Sequence, residues 1–300
     1  MTTIFHARKI DKVVPSKWQS LGKGGGMVRR SIPSYDALPS FDPFLLLDEF
    51  NTRVPQWIPE HPHRGLSLVT YLFPSSPGSF QHEDNLGNRG VLKPGGLHWM
   101  MCGRGMVHCL APMDEKPAHG LQLWINLPKS HKMSPPSYHK KGWESIPHAK
   151  QNIGMDVAVL SGSSLGVSTP IMTVTPIDFL YVKLEPGVVF EQPCDSTWNA
   201  LIYTIHGSVV LGDTKVGPHT TVTFTAEIGT SGVRVVGGDE GPAEFCFLTG
   251  EPIEEPLAQG GPMVMNTHEE LLQALADYRM GRNGFEGARE WSSEIAKTIL

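Results

Sequence analysis

The sequence predicts an all-β protein made of two β-barrels, followed by a short C-terminal helix. The 300 residues include 32 glycines and 25 prolines, well above the roughly 12% of average usage, which indicates many tight turns. Between the turns, short runs rich in β-branched and aromatic residues recur, a pattern typical of barrels and sandwiches. These runs are residues 68–73, 181–184, 201–205, 209–211, 220–224, 233–236 and 245–248.

Helical periodicity is concentrated near the C-terminus. Thr267 is a candidate N-cap with Glu270 three residues later, which is the capping-box spacing. Apolar residues then follow at three-to-four spacing, and Gly281 is the expected stop. The pattern predicts one helix over residues 267–280, with a second short helix around 286–297.

The length favours two domains, because a single domain usually holds 100–200 residues. Residues 129–152 contain five lysines, three prolines and almost no apolar run, which is typical of a linker. We therefore expect an N-terminal barrel at 1–135 that carries the active site and a linker at 136–149. A second barrel together with the C-terminal helix then occupies 150–300.

Charge and cysteine usage limit the possible partners and location. The net charge is −5 and no basic run exceeds two residues, so direct binding to nucleic acid is not expected. The four cysteines form no CxxC motif, and no stretch is apolar enough to span a membrane. We expect a soluble monomer in the reducing cytoplasm or nucleus, with no membrane association.

The sharpest chemical motif is a pair of histidines, His61 and His63, within EHPHRG at 60–65. On a strand, residues two apart point to the same face, so both imidazoles can be directed at one point. About 45 residues later, GRG at 103–105 permits a tight bend before a strand that presents His108. This arrangement is typical of a barrel in which three imidazoles bind one metal ion.

Motifs spread along nearly the whole chain resemble the pirin family of the cupin superfamily. They are HPHRG at 61–65, VTYL at 69–72, HED at 82–84, GRGMVH at 103–108, PAHGLQLWINL at 117–127, GEP at 250–252, MNT at 265–267 and NGF at 283–285. The resemblance implies a bicupin, that is, two antiparallel β-barrels of the jelly-roll type, with iron in the N-terminal barrel only. It further implies either a quercetin-dioxygenase-like enzyme or an iron-responsive nuclear transcription coregulator.

Carried over position by position, the resemblance implies that His61, His63 and His108 are metal ligands for Fe(II) or another divalent ion. Two family carboxylates are missing: Leu110 stands where the fourth ligand is normally Glu, and Ser67 stands where another Glu is usual. Because two negative charges are lost, we expect the metal to bind weakly or to be absent.

Three interpretations of this loss remain open. Three imidazoles alone can still hold the ion, or a nearby group can compensate, with His98 (where the family usually has Gln) and His82 as candidates. Alternatively the pocket works without metal, using its histidines as general acid and base. His98 is therefore counted with His61, His63 and His108 as a candidate catalytic residue.

The favoured function is an enzyme that acts on a small aromatic or phenolic molecule, flavonol-like or polyketide-like, by metal-dependent dioxygenation. A metal-independent acid–base enzyme of specialised metabolism is one alternative. The other is a coregulator that binds a transcription factor. In the second barrel, residues 190–193 lack histidine, so no second metal site is expected. Arg64 and Arg104 are expected to pair with Glu60, Glu83 or Asp84.

Overall fold

The structure, a computed structural model, describes residues 4–21, 26–34, 37–150, 153–171 and 173–299, and the parts of the expected domains outside these ranges are not described. Most elements are strands. In chain order they are β1 (Ile10–Pro15), β2 (Trp18–Ser20), β3 (Met27–Ile32), β4 (Phe44–Thr52), β5 (Ile58–His63), β6 (Leu66–Leu72), β7 (Phe80–Asp84), β8 (Arg89–Leu92), β9 (Leu97–Met101), β10 (Met106–Pro112), β11 (Ala118–Asn126), β12 (Ser137–Lys141), β13 (His148–Ala149), β14 (Met155–Ser161), β15 (Ser163–Ser164), β16 (Val167–Ser168), β17 (Ile177–Leu184), β18 (Val189–Pro193), β19 (Asn199–His206), β20 (Val209–Leu211), β21 (Thr214–Val216), β22 (Thr220–Phe224), β23 (Gly232–Gly237), β24 (Ala243–Gly250), β25 (Ala258–Gly260) and β26 (Met263–Met265).

The helices are short and lie mainly at the C-terminus. They are two 3-10 turns, Lys129–His131 and Trp143–Ser145, and the α-helices α1 (His268–Met280) and α2 (Glu294–Ile299). Thr267 and Glu270 cap α1 reciprocally, and Gly281 ends it in the left-handed conformation. The predictions of an all-β fold and of a C-terminal helix are confirmed.

The chain folds into two compact units, and each unit is built from three separate stretches of the sequence. The N-terminal barrel comprises Trp18–Ile32, Phe44–Trp143 and Ile253–Leu300, and the C-terminal barrel comprises Met1–Lys17, Pro33–Pro43 and Glu144–Pro252. This division differs from the consecutive ranges expected from the sequence. The reason is long-range pairing: β1 joins the sheet of the C-terminal barrel beside β22, while β26 lies beside the end of β5.

The N-terminal barrel consists of two antiparallel sheets. One has seven strands in the order β12-β9-β6-β11-β4-β3-β2, and the other has four in the order β5-β10-β7-β8. Strand β6 is buried along its whole length, as expected for an apolar run at the centre of a barrel. The small hairpin of β25 and β26 precedes α1, and both pack within this unit.

The C-terminal barrel repeats this plan, with sheets ordered β1-β22-β19-β24-β17-β14-β13 and β18-β23-β20-β21. Its interior is filled by a cluster of buried apolar side chains that includes Val182, Phe190, Phe245 and Phe247. Gln192, at the position compared with the histidine motif, is also buried and hydrogen-bonds with Ser164. This barrel is therefore a packed core.

The segment expected to be a linker is instead part of the sheets. Strand β12 pairs with β9 at one edge of the N-terminal barrel, and β13 pairs with β14 at one edge of the C-terminal barrel. The lysines and prolines at 129–152 suit such a segment because edge strands tolerate both.

Within the described ranges, no helix combines the length and the apolar character needed to cross a membrane.

Candidate functional site

Strands β5 and β10 bring the three predicted histidines together. His61 and His63 lie two residues apart on β5, and in the β10 register His108 pairs with His61 while Met106 pairs with His63. Strand alternation therefore places all three imidazoles on one face of the four-stranded sheet. The prediction that these three residues converge agrees with this placement.

Two glycines allow the turns that flank these strands. Gly65 follows β5 with φ of +79°, and a Cβ there would overlap the carbonyl oxygen of Val264. Gly103, with φ of +47°, precedes β10, and a Cβ there would overlap the carbonyl oxygen of Ser134. A side chain at either position would strain the backbone and displace a ligand strand.

The geometry of the histidine group fits a divalent metal ion. One ring nitrogen from each histidine lies within 4.8 Å of the others, and the Nε2 atoms of His61 and His108 are 3.0 Å apart. Two imidazole nitrogens that bind one ion at about 2.1 Å with an angle of about 90° lie about 3 Å apart. Nitrogen donors of this kind suit zinc, copper, iron or nickel.

Hydrogen bonding and burial prepare the imidazoles as neutral ligands. Nδ1 of His61 donates to the carbonyl oxygen of Pro59 at 2.7 Å, which leaves Nε2 with a free lone pair in the neutral ring. Burial lowers the pKa of His61. It lowers the pKa values of His63 and His108 further, and in both the neighbouring imidazoles add to the effect.

One of the two missing carboxylates leaves an apolar surface beside the histidines. Leu110, on the same face of β10 as His108, is 3% exposed and packs with Phe80 and Phe50. Ser67 is buried in β6. Asp84 is level with His108 in the β7 register, but its carboxylate accepts hydrogen bonds from the turn, including the Leu86 and Asn88 amides at 3.0 Å. The described residues thus place three nitrogen ligands at the site and no carboxylate.

A cavity of about 190 Å³ opens in front of the three histidines. Most of its wall is apolar and includes Leu46, Phe50, Leu68, Phe80, Leu110 and Trp124. The ring of Trp124 meets that of His63 edge to face, with centroids 5.1 Å apart. The cavity therefore offers a largely apolar space beside the histidine group.

Two polar pairs cross the wall opposite the histidines. Arg30 donates to both carboxylate oxygens of Asp48, at 3.0 and 2.8 Å. The Thr70 hydroxyl donates to Oε1 of Gln122 at 3.0 Å, while Nε2 of Gln122 is buried without a partner among the described residues. Asp48, Gln122 and Thr70 are aligned across β4, β11 and β6, so they form one polar row.

His98 does not join the metal-ligand group, contrary to its expected role as a compensating ligand or catalytic residue in the pocket. It lies on β9 and its ring stacks against that of His82, with centroids 4.2 Å apart. Tyr138 completes this second cluster. Its ring centroid is 4.7 Å from that of His98, and its hydroxyl oxygen is 3.1 Å from Nε2 of His82. His98 is absent from the cavity wall, because the β9 register places it one strand beyond Thr70.

This second cluster predicts a loss of stability in acid. Burial, aided by Lys140, lowers the pKa of His82 to about 4, and burial lowers that of His98 well below 6.5. In the unfolded chain both rings bind protons near pH 6.5, so their contribution to stability is full above that pH and falls as pH drops toward 4. Lowering the pH from 7 to 5.5 should therefore reduce the free energy of unfolding of the metal-free protein by about 2 kcal/mol through this pair.

Urea unfolding followed by tryptophan fluorescence at both pH values measures this loss. The double variant His82→Gln/His98→Gln should lose correspondingly less stability over the same interval. An equal loss in the variant and the wild type would show that these histidines do not remain neutral in the folded protein.

The cysteines near the site face away from it. Strand alternation turns Cys109 to the opposite face from His108, where its thiol donates to Oγ of Ser293 at 3.1 Å. Burial raises the pKa of Cys109 to about 11. Cys102 is fully buried, so both act as small buried side chains.

The arginine of the histidine motif has a different partner from the expected one. Arg64 pairs with Asp277 of α1 at 2.9 Å, and both side chains are nearly inaccessible. Glu60 and Glu83 instead accept hydrogen bonds from backbone amides of residues 293–295. These partners are more than 200 residues apart, so no local spacing in the sequence indicates them.

Several cavity residues were not singled out from the sequence, namely Arg30, Asp48, Thr70, Gln122 and Leu46. No spacing along the chain links these residues, and only the alignment of β3, β4, β11 and β6 places them together. The available signals were the PAHGLQLW motif, which contains Gln122, and the VTYL motif, which contains Thr70.

Comparisons with known proteins agree with the two-barrel fold. Residues 25–125 match the family described as Pirin, and residues 179–284 match the Pirin C-terminal cupin domain. Pirin of Mus musculus is 44% identical over 294 residues, covering 96% of this chain and 98% of the relative.

Among solved structures, a quercetin 2,3-dioxygenase from Acinetobacter baumannii superposes with a TM-score of 0.80 at 28% identity, covering 93% of this chain and 99% of that one. Bacterial pirin YhhW from Escherichia coli, solved in complex with nickel(II), has a TM-score of 0.63 at 17% identity, with coverage of 80% and 98%. The second likeness shows the shared fold.

Proposed function

Because the chain belongs to the pirin family of two-barrel cupin proteins, we propose that it is a metal-dependent oxidoreductase acting on a small aromatic or phenolic molecule. The observation that carries this proposal is the convergence of His61, His63 and His108 on a largely apolar cavity. The similarity to a quercetin 2,3-dioxygenase supports flavonol-like substrates. Fe(II) or another divalent ion is the proposed cofactor, and the nickel(II) complex of a related fold supports this class of metal.

The chain's own residues would hold the metal ion and orient the substrate. Three neutral imidazoles would hold the ion, which when bound would supply Lewis-acid and redox chemistry that the side chains lack. The apolar wall and the Trp124 indole within it suit an aromatic ring. Because Thr70 fixes Oε1 of Gln122, the Gln122 amide is left as a donor for a carbonyl or hydroxyl oxygen of the substrate.

The electrostatics favour metal binding over the metal-free acid–base alternative. Burial lowers the pKa values of all three histidines, which favours the uncharged form of each ring at neutral pH. Neutral imidazoles are good ligands and weak proton donors. A general acid working near pH 7 would need the opposite shift.

Oxygen-dependent turnover of a flavonol tests the proposed function. The Fe(II)-loaded protein is mixed anaerobically with quercetin, air is admitted, and the flavonol absorbance is followed, with His61→Ala as the inactive control. We expect absorbance loss that requires both oxygen and His61. If a fully loaded protein shows none with a panel of flavonols and simple phenols, the oxidoreductase proposal fails and the coregulator alternative gains ground.

Restoring the missing carboxylate should strengthen metal binding. In Leu110→Glu the new side chain projects from the same face of β10 as His108 and adds a negative ligand, so we expect affinity for Fe(II) or Co(II) to rise about tenfold or more. Leu110→Gln is the matched control because it has the same shape without the charge. Competition with a chromophoric chelator at pH 7.5 measures both, and equal affinities in the two variants would contradict the expectation.

A further inference from the structure

We infer that residues 291–296, here called the C-terminal strap, position the three-histidine site from the outer face of its sheet. This inference rests on the metal-binding role proposed above. The strap follows α1 and lies against β7 and β10, with a hydrogen bond to β5. These adjacent strands include both strands that carry the ligands.

The polar contacts of the strap fall on residues beside the ligands. The Ser293 amide donates to Oε1 of Glu60 at 3.0 Å, and the Cys109 thiol donates to the Ser293 hydroxyl at 3.1 Å. The carboxylate of Glu83 accepts from the Glu294 amide at 2.7 Å. Glu60 precedes His61 and Cys109 follows His108 in the chain, so two of the three anchors adjoin a ligand.

The contact is also packed with apolar side chains. Ile295 packs with Cys109 and Ala111, and Trp57 and Trp291 pack against the same cluster. Ser293 is fully buried, and its hydroxyl also accepts from the Ala296 amide at 3.0 Å. A buried hydrogen-bonded residue of this kind resists displacement, because exposing its partners unpaired costs free energy.

The ligand strand β5 pairs irregularly with its neighbour β10. Pro59 and Pro62 carry no amide hydrogen, and the pairing of β5 with β10 shifts register between His108 and Leu110. Such an irregularity disrupts the local ladder of hydrogen bonds. Since adjacent strand residues share a backbone, fixing Glu60 on the outer face also fixes the direction in which His61 points on the inner face.

The strap residues are therefore positioning residues, and their loss should act on metal binding. Ending the chain at Trp291 should weaken Co(II) binding about tenfold to a hundredfold, the range seen when residues that orient metal ligands are lost. It should also alter the visible absorption spectrum of bound Co(II), which reports ligand geometry. Ser293→Ala, which removes only the hydroxyl, should weaken binding severalfold.

Matched variants separate positioning from general stability. Lys297 lies just outside the strap, and Lys297→Met removes its exposed ion pair with the side chain of Glu294. This variant should leave both the affinity and the spectrum unchanged. Cys109→Ser keeps a donor for Ser293 and should retain the wild-type spectrum, whereas Cys109→Ala should not. Circular dichroism confirms folding, and if the shortened chain unfolds, Ser293→Ala and the Cys109 pair decide the question.

The outcomes also separate this inference from the function on which it rests. If wild-type protein binds Co(II) through His108 and the strap variants bind it with the same affinity and spectrum, the strap has no positioning role. If the wild type binds no Co(II), or binds it equally after His108→Ala, the proposed metal site and this inference both fall.

Discussion

His108→Ala should weaken divalent-metal binding by at least about a hundredfold, because it removes one of the three ligands proposed among the described residues. Loss of a residue that merely orients a ligand already costs about tenfold to a hundredfold. No carboxylate among the described residues belongs to this group as a further ligand. His108 is also the ligand contributed by the second strand, so its loss leaves two nitrogens from β5 alone.

Elemental analysis after dialysis, together with Co(II) titration, measures this effect. His82→Ala is the matched control, since His82 is also a buried imidazole of the N-terminal barrel but lies in the cluster with His98 and Tyr138. The control should bind metal as the wild type does. Stoichiometric metal in His108→Ala would show that the ligand set is wrong.

Asp277→Asn should lower the free energy of unfolding of the N-terminal barrel by about 3–5 kcal/mol, the cost of leaving one partner of a buried ion pair uncompensated. The guanidinium of Arg64 and the carboxylate of Asp277 are 1% and 2% exposed. Asp277 also accepts hydrogen bonds from Gln273, Arg282 and Asn283. The asparagine has the same shape but replaces one acceptor oxygen by an NH2 donor, so the loss reports the charge together with the hydrogen bonds which that oxygen accepts.

Urea unfolding followed by tryptophan fluorescence measures this change. Lys129→Met, which removes an exposed pair with Glu270, should change stability by less than about 1 kcal/mol. The double variant Arg64→Met/Asp277→Leu should recover part of the loss, because an apolar pair leaves no buried charge. A shift for Asp277→Asn as small as that for Lys129→Met would contradict the buried-pair account.

The sequence alone determined those features that depend on local spacing. His61 and His63 share a face because strand side chains alternate with a period of two, and the GRG bend brings the next strand back with His108. The capping box of Thr267 and Glu270 defined where α1 begins, since both partners lie within one turn. The two barrels followed from the density of short strands and turns.

Only the tertiary structure decided which distant residues meet. His98 lies away from the cavity because β9 is one strand beyond β6, an order of strands that spacing does not encode. Arg64 pairs with Asp277 rather than with the acids that are nearer in the sequence, and Glu60 and Cys109 form hydrogen bonds with Ser293. Such contacts are settled by which arrangement leaves the most buried charges and polar groups paired across the fold, and a local stretch of sequence carries no record of that.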